Sequence, residues 1–204
     1  MNKNQLLKSL RLHSFSKEII GAFKKVKREN FLPKDLKRYA YEDNALPLEK
    51  GATISQPYTI AFMLSLLELK KDQNILEIGS GSGYVLALIS QIIKKGKIYG
   101  IEIIKSLAES SKKVLSKNKK IKILNKDGLY GLPKYALYDR ILISAAAQEI
   151  PEHLYSQLKE DAIIVTPVKN SIFQIKKHKN EITVKEFPGF IFVPLVNNET
   201  KSIP

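Results

Sequence analysis

Cysteine is absent from this sequence of 204 residues. Its absence excludes disulfide bonds, thiolate metal ligands and a cysteine nucleophile, and it fits a reducing cytoplasm. Long apolar runs are also missing, because no stretch approaches the roughly 18 residues that cross a membrane. Residues 1–8 lack the apolar region of a signal peptide. We therefore expect a cytoplasmic protein without a membrane partner, folded most economically as one domain.

Arginine is scarce as well, since it supplies four of the 34 basic residues and lysine supplies the rest. The formal net charge of +14 makes nucleic acid a candidate partner. Arginine, however, is the side chain whose rigid fork suits phosphate groups and base edges. The lysines are also spread along the chain in ones and twos. We therefore interpret the charge as a solvated surface and expect no nucleic-acid partner.

The first third of the chain is predicted to be helical. Apolar residues recur at helical spacing in residues 6–12 and 19–26, and Ser16 is a predicted N-cap of the second helix. Residues 39–56 have weak periodicity and form a predicted loop, which precedes a predicted helix over residues 57–69. We divide the chain into N-terminal helices with an active-site loop, residues 1–56, and a core, residues 57–204, within one structural unit.

From residue 74 onwards apolar strands alternate with helices, which predicts an α/β fold with a parallel sheet. The predicted strands cover residues 74–78, 98–102, 121–124, 140–144 and 162–168. The predicted helices cover residues 85–93 and 106–117, and a short one starts near Pro151. An antiparallel meander is predicted to close one edge of the sheet, from strand-like runs at residues 172–177, 182–187 and 190–193.

A glycine-rich turn follows the first predicted strand of this sheet. Gly79, Gly81 and Gly83 stand at alternate positions, which allows a tight turn and a close approach of the backbone to a ligand. The free amide groups at the start of the next helix favour a nucleotide cofactor there. The pattern alone separates neither a dinucleotide from S-adenosylmethionine nor a cofactor site from a plain tight turn.

Acidic residues mark three successive strand ends. Glu77 precedes the glycines, and Glu102 ends the next strand, where a carboxylate can accept hydrogen bonds from ribose hydroxyls. The alternative for Glu102 is a bond to water or to a neighbouring backbone amide. Asp127-Gly128 is typical of a turn, but its carboxylate could also accept the exocyclic amine of adenine. The three positions together favour cofactor binding.

Several segments, in order along nearly the whole chain, resemble the protein-L-isoaspartate O-methyltransferase family. The most discriminating is Thr53-Ile54-Ser55, within residues 46–58. The others are residues 26–31, 76–84, 127–131, 144–147 with 149–151, and 192–195. The resemblance implies a Rossmann-like class I S-adenosylmethionine-dependent methyltransferase sheet with an N-terminal helical extension and a C-terminal antiparallel hairpin or meander. The sequence departs from the family pattern in loops, at Lys126, Gln148, Glu160-Asp161 and Lys169.

The resemblance also implies an activity, which is methyl transfer from S-adenosylmethionine to the free α-carboxylate of L-isoaspartyl residues. The reaction initiates the repair of damaged peptides and proteins, and S-adenosyl-L-homocysteine is its other product. The implied catalytic residue is Ser55, and the implied substrate-binding residues are Thr53, Ser55 and Val193. Together with the motifs above, the expected cofactor-binding residues are Ala52, Thr53, Ile54, Ser55, Glu77, Gly79, Gly81, Gly83, Glu102, Asp127 and Gly128.

Ser55 has a second interpretation. It directly precedes a predicted helix with Pro57 in the first turn, so it is also a candidate N-cap, and the two roles are compatible. Two other functions stay open from the sequence, namely a nucleic-acid methyltransferase, suggested by the charge, and a non-catalytic S-adenosylmethionine-binding protein. We expect a monomer and no metal, since His13, His153 and His178 lack ligand-like spacing.

Overall fold

The computed structural model describes residues 1–179 and 181–196, and its strands form two sheets. A small antiparallel ribbon pairs β1 (Leu46–Pro47) with β2 (Thr53–Ile54). The large sheet contains seven strands. They are β3 (Ile75–Ile78), β4 (Ile98–Glu102), β5 (Ile121–Asn125), β6 (Tyr138–Ile143), β7 (Leu158–Val168), β8 (Ser171–His178) and β9 (Glu181–Pro188).

The large sheet has the strand order β5-β4-β3-β6-β7-β8-β9. The strands from β5 to β7 are parallel, and β8 and β9 are added in antiparallel pairing. The predicted α/β class and the C-terminal antiparallel strands are therefore confirmed. Because β3 pairs with both β4 and β6, the strand order reverses there, and ligand crevices in such sheets open at the carboxyl ends of these strands.

Helices precede the sheet and connect its parallel strands. The α-helices are α1 (Lys3–Leu12), α2 (Lys17–Lys25), α3 (Pro57–Leu66), α4 (Tyr84–Ile92) and α5 (Lys105–Val114). Short 3-10 helices cover Arg28–Phe31, Lys34–Tyr39, Glu49–Gly51, Pro133–Tyr135 and Glu152–Gln157. Ser16 Oγ accepts the amide of Ile19 at 3.3 Å, so the predicted N-cap of α2 is confirmed. Within the described ranges, no helix has both the length and the apolar character that crossing a membrane requires.

Two apolar cores lie on opposite faces of the large sheet. Alternate residues of β3 supply them, since Ile75 belongs to one core and Leu76 and Ile78 belong to the other. The first core also contains Leu6 and Leu10 from α1, together with side chains from α2, α3 and α4. The N-terminal helices therefore pack into the core of the sheet and have no separate core of their own.

The predicted third run of the meander, residues 190–193, is not a strand. Gly189 has φ 95° and turns the chain after β9. Pro194 has no amide hydrogen with which to extend a ladder, and it forms only an isolated bridge with Ala146. The amide of Ala146 donates to the carbonyl of Val193 at 2.8 Å. The segment therefore passes the residues that follow β6.

Other element boundaries differ from prediction by a few residues. β7 begins at Leu158, four residues earlier than predicted. α3 ends at Leu66 and not at residue 69, because Glu68 adopts a left-handed backbone with φ 48°. Pro151 precedes the 3-10 helix Glu152–Gln157 and does not occupy its first position.

Candidate active site

The glycine turn lies at the carboxyl end of β3, where the strand order reverses. Gly79, Gly81 and Gly83 have φ of 76°, 51° and 82°, which is the left-handed region that glycine favours. Gly83 is the N-cap of α4, and a Cβ there would lie 2.9 Å from Leu115 Cδ1. The predicted tight turn is confirmed, and it joins β3 to the N-terminus of α4.

Glu102 stabilises this turn by accepting hydrogen bonds from backbone amides. Its buried side chain accepts the amide of Gly81 at 2.7 Å through Oε2 and the amide of Ile104 at 2.8 Å through Oε1. The bond to neighbouring backbone amides, considered above as the alternative, is therefore present. Each carboxylate oxygen can accept a further hydrogen bond, so these contacts are compatible with a ribose ligand, whose binding stays a prediction.

Glu77 is buried beneath the turn and is only 1% exposed. Ser144 Oγ donates to its Oε1 at 2.7 Å. Its other oxygen, Oε2, has no hydrogen-bond partner within residues 1–179 and 181–196. Burial raises the pKa of this carboxyl to about 8, while the bond from Ser144 lowers it and the charge of Glu102 raises it further.

Asp127 and Gly128 form the turn after β5. Asp127 Oδ1 accepts the amide of Leu129 at 2.9 Å, as aspartate commonly does in turns. A Cβ on Gly128 would lie 2.5 Å from Ile78 Cγ2, so this position has no room for a side chain. Gly128 lines a cavity of about 160 Å³ beside Gln148, which is one of the loop departures.

Two adjoining cavities lie above the carboxyl edge of the sheet. The glycine-turn cavity is lined by residues that include Glu77, Gly79 and Gly81. The outer cavity, of about 440 Å³, is lined by residues that include Val193 and Phe190. Three hydroxyl residues line both cavities, namely Thr53, Ser55 and Ser144.

The predicted site residues are thus only partly brought together in one cavity. The glycine-turn cavity gathers Thr53, Ile54, Ser55, Glu77, Gly79 and Gly81. The other cofactor residues expected from the sequence do not line it, and these are Ala52, Gly83, Glu102, Asp127 and Gly128. Glu102 still touches this site through Gly81, and Gly128 lines the separate cavity described above.

The N-cap interpretation of Ser55 is wrong. Gln56 is the N-cap of α3, and its side chain makes no capping bond. Asp43 instead accepts the amide of Tyr58 at 2.8 Å through Oδ1 and the side chain of Gln56 at 3.2 Å through Oδ2. Sequence reasoning missed Asp43 because the usual capping signal is local, whereas Asp43 lies 15 residues from the amide that it caps.

Arg28 is a second residue that sequence reasoning missed. It is fully buried and donates hydrogen bonds to carbonyl oxygens of the loop that leads to Ser55. Their donor–acceptor distances are 3.0 Å to Ala40, 3.3 Å to Glu42, 3.0 Å to Asn44, 3.4 Å to Ile54 and 3.1 Å to Ser55. The only signal for Arg28 in the sequence was that residues 26–31 resemble the family pattern. That resemblance did not indicate what Arg28 does.

Metal ligands do not cluster in the part of the chain that the structure describes, where no group of three or more His, Cys, Asp or Glu residues could hold an ion. His153 is exposed, and its Nε2 lies 2.7 Å from the carbonyl oxygen of Leu129. His178 contacts Asp161 at 2.5 Å, on the hairpin formed by β7 and β8.

Known proteins resemble this chain in sequence and in fold. The family model described as protein-L-isoaspartate(D-aspartate) O-methyltransferase matches residues 1–200. A protein-L-isoaspartate O-methyltransferase of Petrotoga mobilis is 42% identical over 187 residues, which cover 88% of this chain and 87% of the relative. A solved protein-L-isoaspartate O-methyltransferase aligns with a TM-score of 0.89 and 28% identity, over 97% of this chain and 67% of that one. A Plasmodium falciparum structure in complex with S-adenosyl-L-homocysteine aligns with a TM-score of 0.84 and 24% identity, over 97% and 100% of the two chains.

Proposed function

Because the chain belongs to the protein-L-isoaspartate (D-aspartate) O-methyltransferase family, we propose that the two cavities beside Ser55 hold the two substrates of that family's reaction. The protein is an S-adenosylmethionine-dependent methyltransferase that methylates isoaspartyl residues and so initiates their repair. The glycine-turn cavity is the proposed cofactor site, and the outer cavity is the proposed isoaspartyl site. Ser55, with Thr53 and Ser144, lines both cavities, and this shared wall is the observation that supports the proposal.

The residues at the glycine turn fit a polar cofactor. Glu77 Oε2 and Ser80 Oγ are buried and have no hydrogen-bond partner among the described residues, whereas buried polar atoms are normally satisfied. In the proposed site Glu102 binds the ribose and Asp127 the adenine amine. The other proposed cofactor residues are Ala52, Thr53, Ile54, Ser55, Glu77, Gly79, Gly81, Gly83 and Gly128.

The reaction needs no general base from the protein. A carboxylic acid with a pKa of about 3.5–4 is already an anion at neutral pH. The bound cofactor supplies a sulfonium methyl group that is already activated. What remains for the protein is in-line alignment of the carboxylate oxygen, and such alignment contributes up to roughly 7–11 kcal/mol in favourable cases.

Ser55 is the proposed aligning group. A neutral hydroxyl can donate one hydrogen bond to a carboxylate oxygen, whereas an arginine would stabilise the ground-state anion more strongly and reduce its nucleophilicity. The side chains that line the outer cavity are hydroxyl, amide and apolar, and among the described residues none of them is charged. Thr53 and Val193 are the proposed neighbours of the substrate in this cavity.

The substrate assignment is tested with two synthetic peptides that differ only in an isoaspartyl or a normal aspartyl linkage. We expect base-labile methyl ester on the isoaspartyl peptide and almost none on the other, because the inserted methylene moves the free carboxylate onto the α-carbon. Equal labelling of both peptides, or label only on added RNA or DNA, would contradict the proposed function.

The role of Ser55 is tested with Ser55→Ala and with Ser65→Ala as a matched control, since Ser65 Oγ bonds to the carbonyl of Phe62 within α3. Loss of alignment lowers turnover by about 100-fold, so we expect this loss in Ser55→Ala only, with affinity for S-adenosyl-L-homocysteine retained.

Calorimetry on Glu102→Ala should show cofactor binding weakened by more than about 1 kcal/mol. Full turnover in Ser55→Ala, or unchanged affinity in folded Glu102→Ala, would remove that residue from the site.

We further propose that the protein acts as a cytoplasmic monomer, in which residues 1–56 and 57–204 form one unit. The shared core, which contains Leu6 and Leu10 beside Ile75, supports the single unit. The cysteine-free sequence fits a reducing compartment. Light scattering on the full chain tests the oligomeric state, and a dimer mass would overturn this part of the proposal. Cell fractionation tests the compartment, and recovery of the protein outside the cytoplasm would overturn that part.

A further inference from the structure

Arg28 is a buried cation whose hydrogen-bond partners are backbone carbonyl groups. Its side chain is 0% exposed, and within residues 1–179 and 181–196 it forms no ion pair with a carboxylate. A charge removed from water is stable only where other groups replace its hydration. Five carbonyl groups do so here at Nη1 and Nη2, whereas the buried Nε has no hydrogen-bond partner among the described residues.

The five carbonyl groups belong to two separate stretches of the loop over residues 39–56. Nη1 donates to the carbonyl groups of Ala40 and Glu42. Nη2 donates to the carbonyl groups of Asn44, Ile54 and Ser55. The loop has little regular structure besides the two-residue strands β1 and β2 and the 3-10 helix Glu49–Gly51. The guanidinium therefore supplies hydrogen bonds that a helix or a longer sheet would otherwise provide, and it joins the stretch at 40–44 to the backbone of Ser55.

The structure contains a second arginine of the same kind at a different place. Arg140 is 4% exposed, and it donates to carbonyl groups that follow α3 and to one carbonyl group each in β6 and β7. Those carbonyl groups belong to Leu67, Glu68, Asp139 and Asp161. Arg140 stands opposite Ile75, at the start of β3, so it lies at the edge of the sheet opposite to the glycine turn. Arg140 is therefore a matched control for Arg28, because it is a buried arginine that stabilises the fold but does not contact the site.

We propose that Arg28 is a positioning residue for methyl transfer, which fixes the backbone of Ile54 and Ser55 so that the Ser55 hydroxyl keeps its place between the two cavities. This inference rests on the proposed role of Ser55. Lysine cannot replace Arg28 fully, because its three donors radiate from one atom, whereas the guanidinium fork reaches both stretches of the loop.

The test compares Arg28→Lys with Arg140→Lys, at a temperature well below both melting transitions. We expect Arg28→Lys to lower kcat on the isoaspartyl peptide by about 10-fold or more, because small misplacement of a reacting group has effects of this size. Its affinity for S-adenosyl-L-homocysteine should stay close to that of the unaltered protein. Arg140→Lys should lower the melting temperature and leave kcat nearly unchanged.

Chemical rescue gives a second readout that a merely structural role would not move. Arg28→Ala leaves a space of guanidinium shape, so millimolar guanidinium chloride should restore part of its kcat, and sodium chloride at the same ionic strength should not. If Arg28→Ala does not fold, the lysine pair decides the matter alone. Equal loss of kcat in both lysine variants, or unchanged kcat in Arg28→Lys, would overturn the inference.

The two proposals fail in different ways. If the unaltered protein does not label the isoaspartyl peptide, the proposed function fails. If the unaltered protein is active and Ser55→Ala is inactive, while Arg28→Lys has full kcat, only the positioning role of Arg28 fails. If Ser55→Ala is fully active, the role of Ser55 fails, and with it the reason given for Arg28.

Discussion

The carboxyl group of Glu77 makes stability depend on pH in a direction opposite to that of most acidic residues. Burial raises its pKa in the folded protein to about 8 from an ordinary value of 4.5. Between these two pH values the folded protein holds a proton that the unfolded chain has lost. Raising the pH therefore favours the unfolded chain, with a slope of about 1.4 kcal/mol per pH unit, and the slope vanishes above the folded pKa.

Glu77→Gln should remove this slope, because glutamine resembles the protonated acid in shape and cannot titrate. Urea unfolding at a series of pH values measures the free energy of unfolding of both proteins. The stability of the unaltered protein relative to Glu77→Gln should fall from about pH 5 to about pH 8 and then stay constant. Glu49→Gln, at an exposed position, is the control and should leave the slope in place. Parallel curves for the unaltered protein and Glu77→Gln would contradict the prediction.

The residues of the candidate site differ in whether they could be predicted from the sequence. Gly79, Gly81 and Glu102 could be predicted as candidate site residues because a strand followed by alternate glycines and a second strand-end acid is a local pattern. Asp43 and Arg28 were not found. Asp43 caps a helix 15 residues away, and Arg28 reaches carbonyl groups up to 27 residues away. Such contacts exist only once the chain has folded.

At the scale of elements, the inner parallel strands β3, β4 and β6 were predictable because they are mostly buried on both faces and are therefore largely apolar. β3 is buried at each of its four residues. The end of the chain was less predictable. Residues 190–193 are apolar and follow two strands, but Gly189 and Pro194 prevent them from continuing the ladder. Periodicity does not distinguish a strand from an extended segment that crosses the edge of a sheet.

Two of the departures from the family pattern, one within β7 and one in the turn after it, fall where the backbone is left-handed. Asp161 has φ 56° and Lys169 has φ 53°, and the family pattern has glycine at both positions. Both residues thus adopt a backbone conformation that glycine favours. Lys169 starts the two-residue loop between Val168 of β7 and Ser171 of β8, where a positive φ matches the twist of the hairpin.

Lys169→Gly should stabilise the protein, because a side chain in the left-handed region costs about 1–2 kcal/mol that glycine does not incur. The expected increase in the free energy of unfolding is about 0.5–1 kcal/mol, since glycine also gains freedom in the unfolded chain. Urea unfolding measures it. Asn170→Gly is the control, because Asn170 has no positive φ, and it should lower stability. A loss of stability in Lys169→Gly would show that the turn carries no such strain.

For the molecule as a whole, the positive charge and the proposed chemistry are separated in space. Two of the four arginines, Arg28 and Arg140, are buried on backbone carbonyl groups, so lysine provides nearly all of the surface charge. The outer cavity has no charged side chain among the described residues that line it. In the proposed function, an anionic substrate is thus attracted by the surface as a whole and meets neutral donors in the outer cavity. This arrangement keeps the carboxylate nucleophilic.

Because charge and site are separated, we expect salt to slow the association of substrate with the protein and to leave the methyl-transfer step unchanged. Screening shortens the reach of the surface charge to about 10 Å at 0.1 M salt, so kcat/KM for an isoaspartyl peptide should fall modestly as salt rises, while kcat stays nearly constant. A peptide flanked by aspartates should show a steeper fall than one flanked by alanines, because it carries more charge through the same field. Initial rates over a salt series measure both slopes, and sucrose at equal osmolality is the control. Equal slopes for the two peptides, or a fall confined to kcat, would mean that the +14 charge has no part in substrate capture.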